Sequence, residues 1–169
     1  MLKLRGSLVL YPQQLGEINR LLSGLIEKLP ARLALLAQVS GHVVASAGET
    51  QHIDPHVLGA LIAGDLVASR EIARVTGAYE ECQLVLRQGR QVHTLIAEVG
   101  DEFALLVQVS SQTPLGWARM VTLEVAQRMA QVVQSNTPIA SEDSDEFEKF
   151  GQLASDSLDS IWTEGFDVC

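Results

Sequence analysis

Eight of the 169 residues are aromatic, two are cysteine, and no run of about 18 apolar residues occurs. Each shortage excludes a class. So few aromatics give no stacking platform for single-stranded nucleic acid. Basic side chains number 12 against 21 acidic ones, a net charge of −9. A field of that sign repels phosphate backbones, so no nucleic-acid partner is expected. Cys82 and Cys169 make neither a disulfide framework nor a four-ligand zinc site. No membrane span is expected. Met1–Gly6 is charged and no apolar core follows it, so no secretory leader is expected either. Cys169 is the last residue, which is not a prenylation box. The expected setting is cytoplasmic, with reduced thiols. Neither GxxxxGK[ST] nor GxGxxG is present, so no nucleotide or other cofactor is expected. His52 and His56 have helical metal spacing, but Asp54-Pro55 between them puts His52 ahead of the helix, and no metal site is expected.

What is present is globular: 47% hydrophobic and 20% charged residues. A chain of this length buries roughly two thirds of its surface, enough for one core. Charge is divided unevenly along it. Residues 1–135 hold 11 basic and 12 acidic side chains, whereas 136–169 hold one lysine and nine acids. The joint is small and polar with one proline, Pro138. The expected division is an α+β domain over 1–135, a linker over 136–144 and an acidic amphipathic helix and tail over 145–169.

Hydrophobic periodicity gives the elements. Ser7–Tyr11 reads as a short strand. Gln14–Leu29 reads as a helix ended by Pro30. Leu33–Val39 and His42–Ala47 read as a hairpin turning at Ser40-Gly41. Asp54-Pro55 opens a helix that runs to about Thr76, with Gly77 at its C-terminal cap. Three strands follow, Tyr79–Arg87, Gln91–Glu98 and Glu102–Ser110, then a helix from Thr113-Pro114 to about Gln134. A last acidic helix spans Asp145–Trp162. Short loops between strands imply antiparallel pairing, hence an α+β fold with helices on the faces of a five-stranded antiparallel sheet.

The middle helix is the informative one. At about 100° per residue, Val57, Leu61, Gly64, Ala68, Ile72 and Val75 share one side, which reads as the sheet-facing stripe. Gly59, Ile62, Ala63, Leu66, Val67 and Ala73 cover the rest, and Asp65 is the single charge between Val57 and Ser69. A helix apolar all round is buried on both sides. Either the last helix of the same chain covers the second face or another protein does. On the acidic helix, Phe147, Phe150, Leu153, Leu158 and Trp162 lie along an apolar stripe that docks back on its own assembly or captures a partner.

Catalytic constellations are harder to assemble. Cys82 and His93 fall on neighbouring expected strands, but nothing is placed to lower the thiol's pKa. Arg70 and Arg74 suit a helix C-terminus, or a surface that steers an acidic protein. No nucleophile, base and orienting group come together, so the default is binding without catalysis.

Several stretches resemble the Roadblock/dynein-light-chain family, and specifically its bacterial members that partner a small Ras-like GTPase. They are Ser7–Tyr11, Leu33–Val39, Gly41–Gly48, Ile53-Asp54, Leu61–Ala68, Arg87–Gly89, Leu105–Val107, Thr113–Gly116, and Leu153 through Trp162. The resemblance implies a Roadblock/longin/profilin-like sheet between helices. It implies a homodimer paired through the middle helix and the strand Tyr79–Arg87, contacting through Gly59, Ile62, Leu66 and Ala73 on the helix and Glu80, Cys82, Leu84 and Leu86 on the strand. It implies that the twin helices hold one GTP-loaded GTPase between two protomers, with Ala60, Ala63, Val67, Arg70, Glu71 and Arg74 facing it. Members of this kind supply no catalytic residue. They speed hydrolysis by repositioning the GTPase's own groups, in motility and cell polarity, which implies a polar position in the cell. A scaffold that binds the GTPase without changing hydrolysis is the alternative.

Overall fold

Local chemistry sets the helix ends in the computed structural model, which describes residues 10–77 and 84–135. Pro12 opens α1 (Pro12–Lys28), where its missing N–H is no loss. The N–H of Tyr11 donates to Gln14 Oε1 at 2.9 Å, and Gln14 Nε2 donates to the Val132 carbonyl at 2.8 Å. One glutamine thus caps one helix and ties it to another. Asp54 Oδ1 accepts the N–H groups of His56 and Val57 at the start of α2 (Pro55–Thr76). Gly77 ends α2 at φ 69°, a left-handed position that glycine adopts without strain.

Between and beyond these helices run β1 (Ala31–Gln38), β2 (Val43–Gly48), β3 (Leu84–Gln88), β4 (Val92–Val99), β5 (Phe103–Ser110) and α3 (Leu115–Gln134). The strands form one antiparallel sheet in the order β2-β1-β5-β4-β3. Alternation along the strands feeds two layers. Ala34, Leu36, Leu95, Ala97, Leu105 and Val107 pack with Ile18, Leu22 and Leu25 of α1 and Val121 and Met129 of α3. Leu33, Leu35, Ile96 and Leu106 pack on the other face with Ile62 and Leu66 of α2. The expected α+β class and sheet-between-helices layering are what the structure has. Among the described residues, no helix is long and apolar enough to cross a membrane.

Three expectations need comment. Tyr11 is the N-cap of α1 and not the end of a strand, while Ser7–Val9 lie outside the described residues. So do Tyr79–Gln83, the first part of the expected third strand, and the whole of 136–169, with its linker and acidic helix. The third is a correction: α2 is turned the other way round. Its buried side is Gly59, Ile62, Ala63, Leu66 and Ala73, and the stripe Val57, Leu61, Gly64, Ala68, Ile72 and Val75 is exposed or nearly so. The sheet already supplies bulky leucines and isoleucines, so a small-sided helix seats closest to it.

Gly59 is the point of closest approach. A methyl group there would strike the carbonyl oxygen of Gly41 and crowd Val43. Both obstacles are on the hairpin, and the nearer one is backbone, which gives little. Gly59→Ala is expected to lower stability by about 1–2 kcal/mol, overpacking outweighing the gain in helix propensity. Equilibrium unfolding in urea measures it, as a lower midpoint at unchanged slope.

Candidate interaction surface

Of the ten exposed large hydrophobic side chains among the described residues, five lie on α2. Val57, Leu61, Ile72 and Val75 are each between 56% and 70% exposed, and Val67, 58% exposed, lies round the helix from them. Ala68, Ile72, Val75 and Thr76, with Glu71, line a shallow hollow of about 460 Å³ beside the C-terminal half of the helix. Scattered single apolar side chains on a surface are ordinary, but a continuous branched stripe on one helix marks a contact surface.

An ion pair ties α2 to β3, one of the two edge strands of the sheet. β3 pairs only with β4, so one side of its backbone has no ladder partner among the described residues. Leu84 and Val85 are half-buried and Leu86 is exposed. Arg87 leaves the strand on the α2 side and its Nη2 donates to Asp65 Oδ1. The helix and this edge strand are therefore held together by an ion pair.

The other flank of α2 is charged, and its charges divide by role. Arg70 Nε donates to Glu98 Oε1 at 2.8 Å, and Arg70 Nη2 donates to the Asp101 carbonyl at 3.2 Å. The Glu98 side chain is only 7% exposed. Arg70 thus clamps α2 onto β4 and the β4–β5 turn. Removing one member of such a pair leaves a buried charge uncompensated. Arg70→Ala is expected to destabilise the fold by about 3 kcal/mol, near the lower end for buried pairs because the arginine is partly solvated. The expected readout is a lowered melting temperature, with most of it recovered in Arg70→Ala/Glu98→Gln.

Arg74 and Glu71 instead close on each other at the surface. Arg74 Nε and Nη2 donate to the two Glu71 oxygens at 2.9 and 2.5 Å. The Arg74 guanidinium holds the Glu71 carboxyl below its ordinary pKa, and Glu71 raises that of Arg74, so both stay charged near neutrality.

The expected site residues on α2 divide between its buried and exposed sides. Gly59, Ile62, Leu66 and Ala73, expected at a dimer contact, are buried within the single chain, Ile62 and Leu66 against the sheet. Of the residues expected to face a GTPase, Ala63 is buried and Arg70 is engaged with Glu98 and Asp101. Ala60, Val67, Glu71 and Arg74 remain at the surface, on one ridge of the helix. On the strand, Leu84 packs against the α1/α3 layer and Leu86 is open. Glu80 and Cys82 lie outside the described residues, as do Phe147, Phe150, Leu153, Leu158 and Trp162. The ladder sets Gln88 opposite His93, while Cys82, the other half of the expected pair, lies outside the described residues. No group of three or more metal-ligating side chains occurs among the described residues. The sequence reading missed Asp65, Arg87 and Glu98 as partners. The one available signal was Asp65 itself, a lone charge in an apolar helix.

Among known proteins, no family's sequence model matches the chain, and no curated protein matches it by sequence. Solved structures do match. MglB of Myxococcus xanthus superposes with a TM-score of 0.71 at 25% identity, over 79% of this chain and 100% of that one. The gliding protein MglB of Thermus thermophilus superposes at 0.67 and 24% identity, over 76% of this chain and 96% of that one. The chain has a Roadblock-type fold similar to that of MglB. A Roadblock/LC7 domain from Streptomyces avermitilis shares the fold more distantly, with a TM-score of 0.55 at 19% identity over 69% of this chain and 92% of that one. On this scaffold the Asp65–Arg87 pair links α2, with its exposed stripe, to the edge strand β3.

Proposed function

We propose that this Roadblock domain is a homodimeric regulator of a small Ras-like GTPase of the MglA kind, acting in motility and cell polarity. Two copies pair through the α2 stripe and the β3 edge, joining their sheets into one of ten strands. The twin α2 helices then present Ala60, Val67, Glu71 and Arg74 to one GTP-loaded GTPase, two protomers to each. The chain lends no catalytic group and speeds hydrolysis by holding the GTPase's own groups in their reactive arrangement. Its place is the cytoplasm, at a cell pole. The observation that carries this reading is the uncovered branched stripe of α2 together with a free strand edge, in a chain whose fold spans the full length of MglB.

A regulator without catalytic residues works by binding the hydrolysis-ready state more tightly than the resting one. Single-turnover GTP hydrolysis by the cognate GTPase, at saturating concentrations of the dimer, tests the reading. A raised rate constant is the expected result. A tight complex with an unchanged rate constant selects instead the scaffold that holds the GTPase without activating it.

A further inference from the structure

We infer that residues 2–8 of the chain lie antiparallel along the free edge of β2, as a further strand that closes this side of the sheet. The inference is independent of the pairing proposed above, which uses the opposite edge.

β2 pairs only with β1, so its outer side has no ladder partner among the described residues. Val43–Gly48 contains no charged residue and no proline, the devices that keep an open edge from pairing at random. α1 packs over this edge and runs the same way as β2. Near its end, Ile26 Cδ1 lies close against Gly48, the last residue of β2. Near its start, Gln14 bonds the Val132 carbonyl of α3, and Gln134 of α3 lies against Gly100 in the β4–β5 turn. That turn is at the end of the sheet where β1 finishes and β2 begins. On α1, Leu15 and Ile26 are three turns apart and share one flank. Ile26 places that flank on the β2 side, and Leu15 on it is exposed.

The residues that precede α1 suit this gap. Leu10 packs on the core, so residues 1–9 arrive at the Val43 end of the edge, and a strand arriving there is antiparallel to β2. Val9–Tyr11, extended, reach about 10 Å, enough to step from the helix layer to the sheet. Leu2, Leu4 and Leu8 alternate with Lys3, Arg5 and Ser7, the two-residue period of a half-buried strand. Ala47 packs on the α1 side of the sheet. With Leu4 opposite Ala47, Leu4 and Leu8 turn toward α1, about 13 Å apart, under Ile26 and Leu15, which stand about 16 Å apart along the helix. Arg5 then falls opposite Ser46, which is exposed. Lys3 and Arg5 give the new edge the charges that β2 lacks. A sheet open at both edges adds copies without end, whereas one closed at β2 grows through β3 and stops at two.

Hydrogen exchange of the full chain, read by mass spectrometry on peptides covering 2–9 and 43–48, tests the inference. The 2–9 amides are expected to exchange at least tenfold more slowly than in the same peptide free in solution. Leu4→Asp/Leu8→Asp is expected to return 2–9 to the free-peptide rate and to speed exchange within 43–48 at least threefold, with unchanged circular dichroism. Arg5→Ala, on the outer face, is expected to leave both peptides within twofold of the parent. Free-peptide exchange of 2–9 in the parent overturns the inference. So does a 43–48 peptide indifferent to the double variant, which puts the segment elsewhere. Protection of 2–9 that vanishes on dilution to monomers also overturns it, since the segment then lies on a second copy.

Discussion

Leu61→Asp is expected to turn the dimer into monomers, raising the dissociation constant at least 1,000-fold. Leu61 is an exposed side chain of α2, so aspartate there meets water and perturbs the fold by a few tenths of a kcal/mol through helix propensity. In a two-fold pair the same patch meets itself, so one substitution places a carboxylate on each side of the contact. Desolvating each one costs several kcal/mol, and the two repel. A total of about 4 kcal/mol already corresponds to three decades of affinity. Sedimentation should show a mass near 18.3 kDa in place of about twice that. Leu61→Ala, which removes only apolar area, should weaken the pair far less. A Leu61→Asp protein that remains dimeric would move the contact off the α2 stripe.

The two faces of α2 also show what the sequence could and could not tell. Its ends were legible because their causes are local: Asp54 accepts the first free N–H groups and Gly77 takes the left-handed turn. The sheet was legible because Leu33–Val39 and the last two strands are apolar at both parities, as strands covered on two faces must be. The orientation of α2 was not legible. Periodicity sorts residues onto sides but does not say which side meets the sheet, and the greasier stripe was the natural choice. What decided it was volume. Gly59 fits under the Gly41 carbonyl where a larger side chain does not, and that depends on a hairpin 18 residues upstream. The ion pairs were hidden for the same reason. Arg70 and Glu98 are 28 residues apart, and Asp65 and Arg87 are 22 apart. Without the helix turned correctly, neither pair faces its partner.

Val67→Arg is expected to return GTP hydrolysis to the intrinsic rate of the GTPase while leaving the dimer intact. Val67 shares its ridge with Ala60, Glu71 and Arg74, at spacings of seven, four and seven residues, on the side of α2 away from Leu61 and Ala68. A guanidinium there fills space that the GTPase must occupy and adds positive charge two turns from Arg74. Such a clash rejects a partner more effectively than the loss of a contact does. The concentration giving half-maximal stimulation should rise at least 100-fold, about 2.7 kcal/mol. The shape of the titration then separates two roles. If Val67 touches the GTPase equally in its resting and hydrolysis-ready states, the midpoint moves and the plateau at saturation is unchanged. If the contact forms only in the reactive arrangement, the plateau itself falls, because only binding that differs between the two states lowers the barrier. Undiminished stimulation at the wild-type midpoint would remove this ridge from the GTPase contact, and with it the assignment of Glu71 and Arg74.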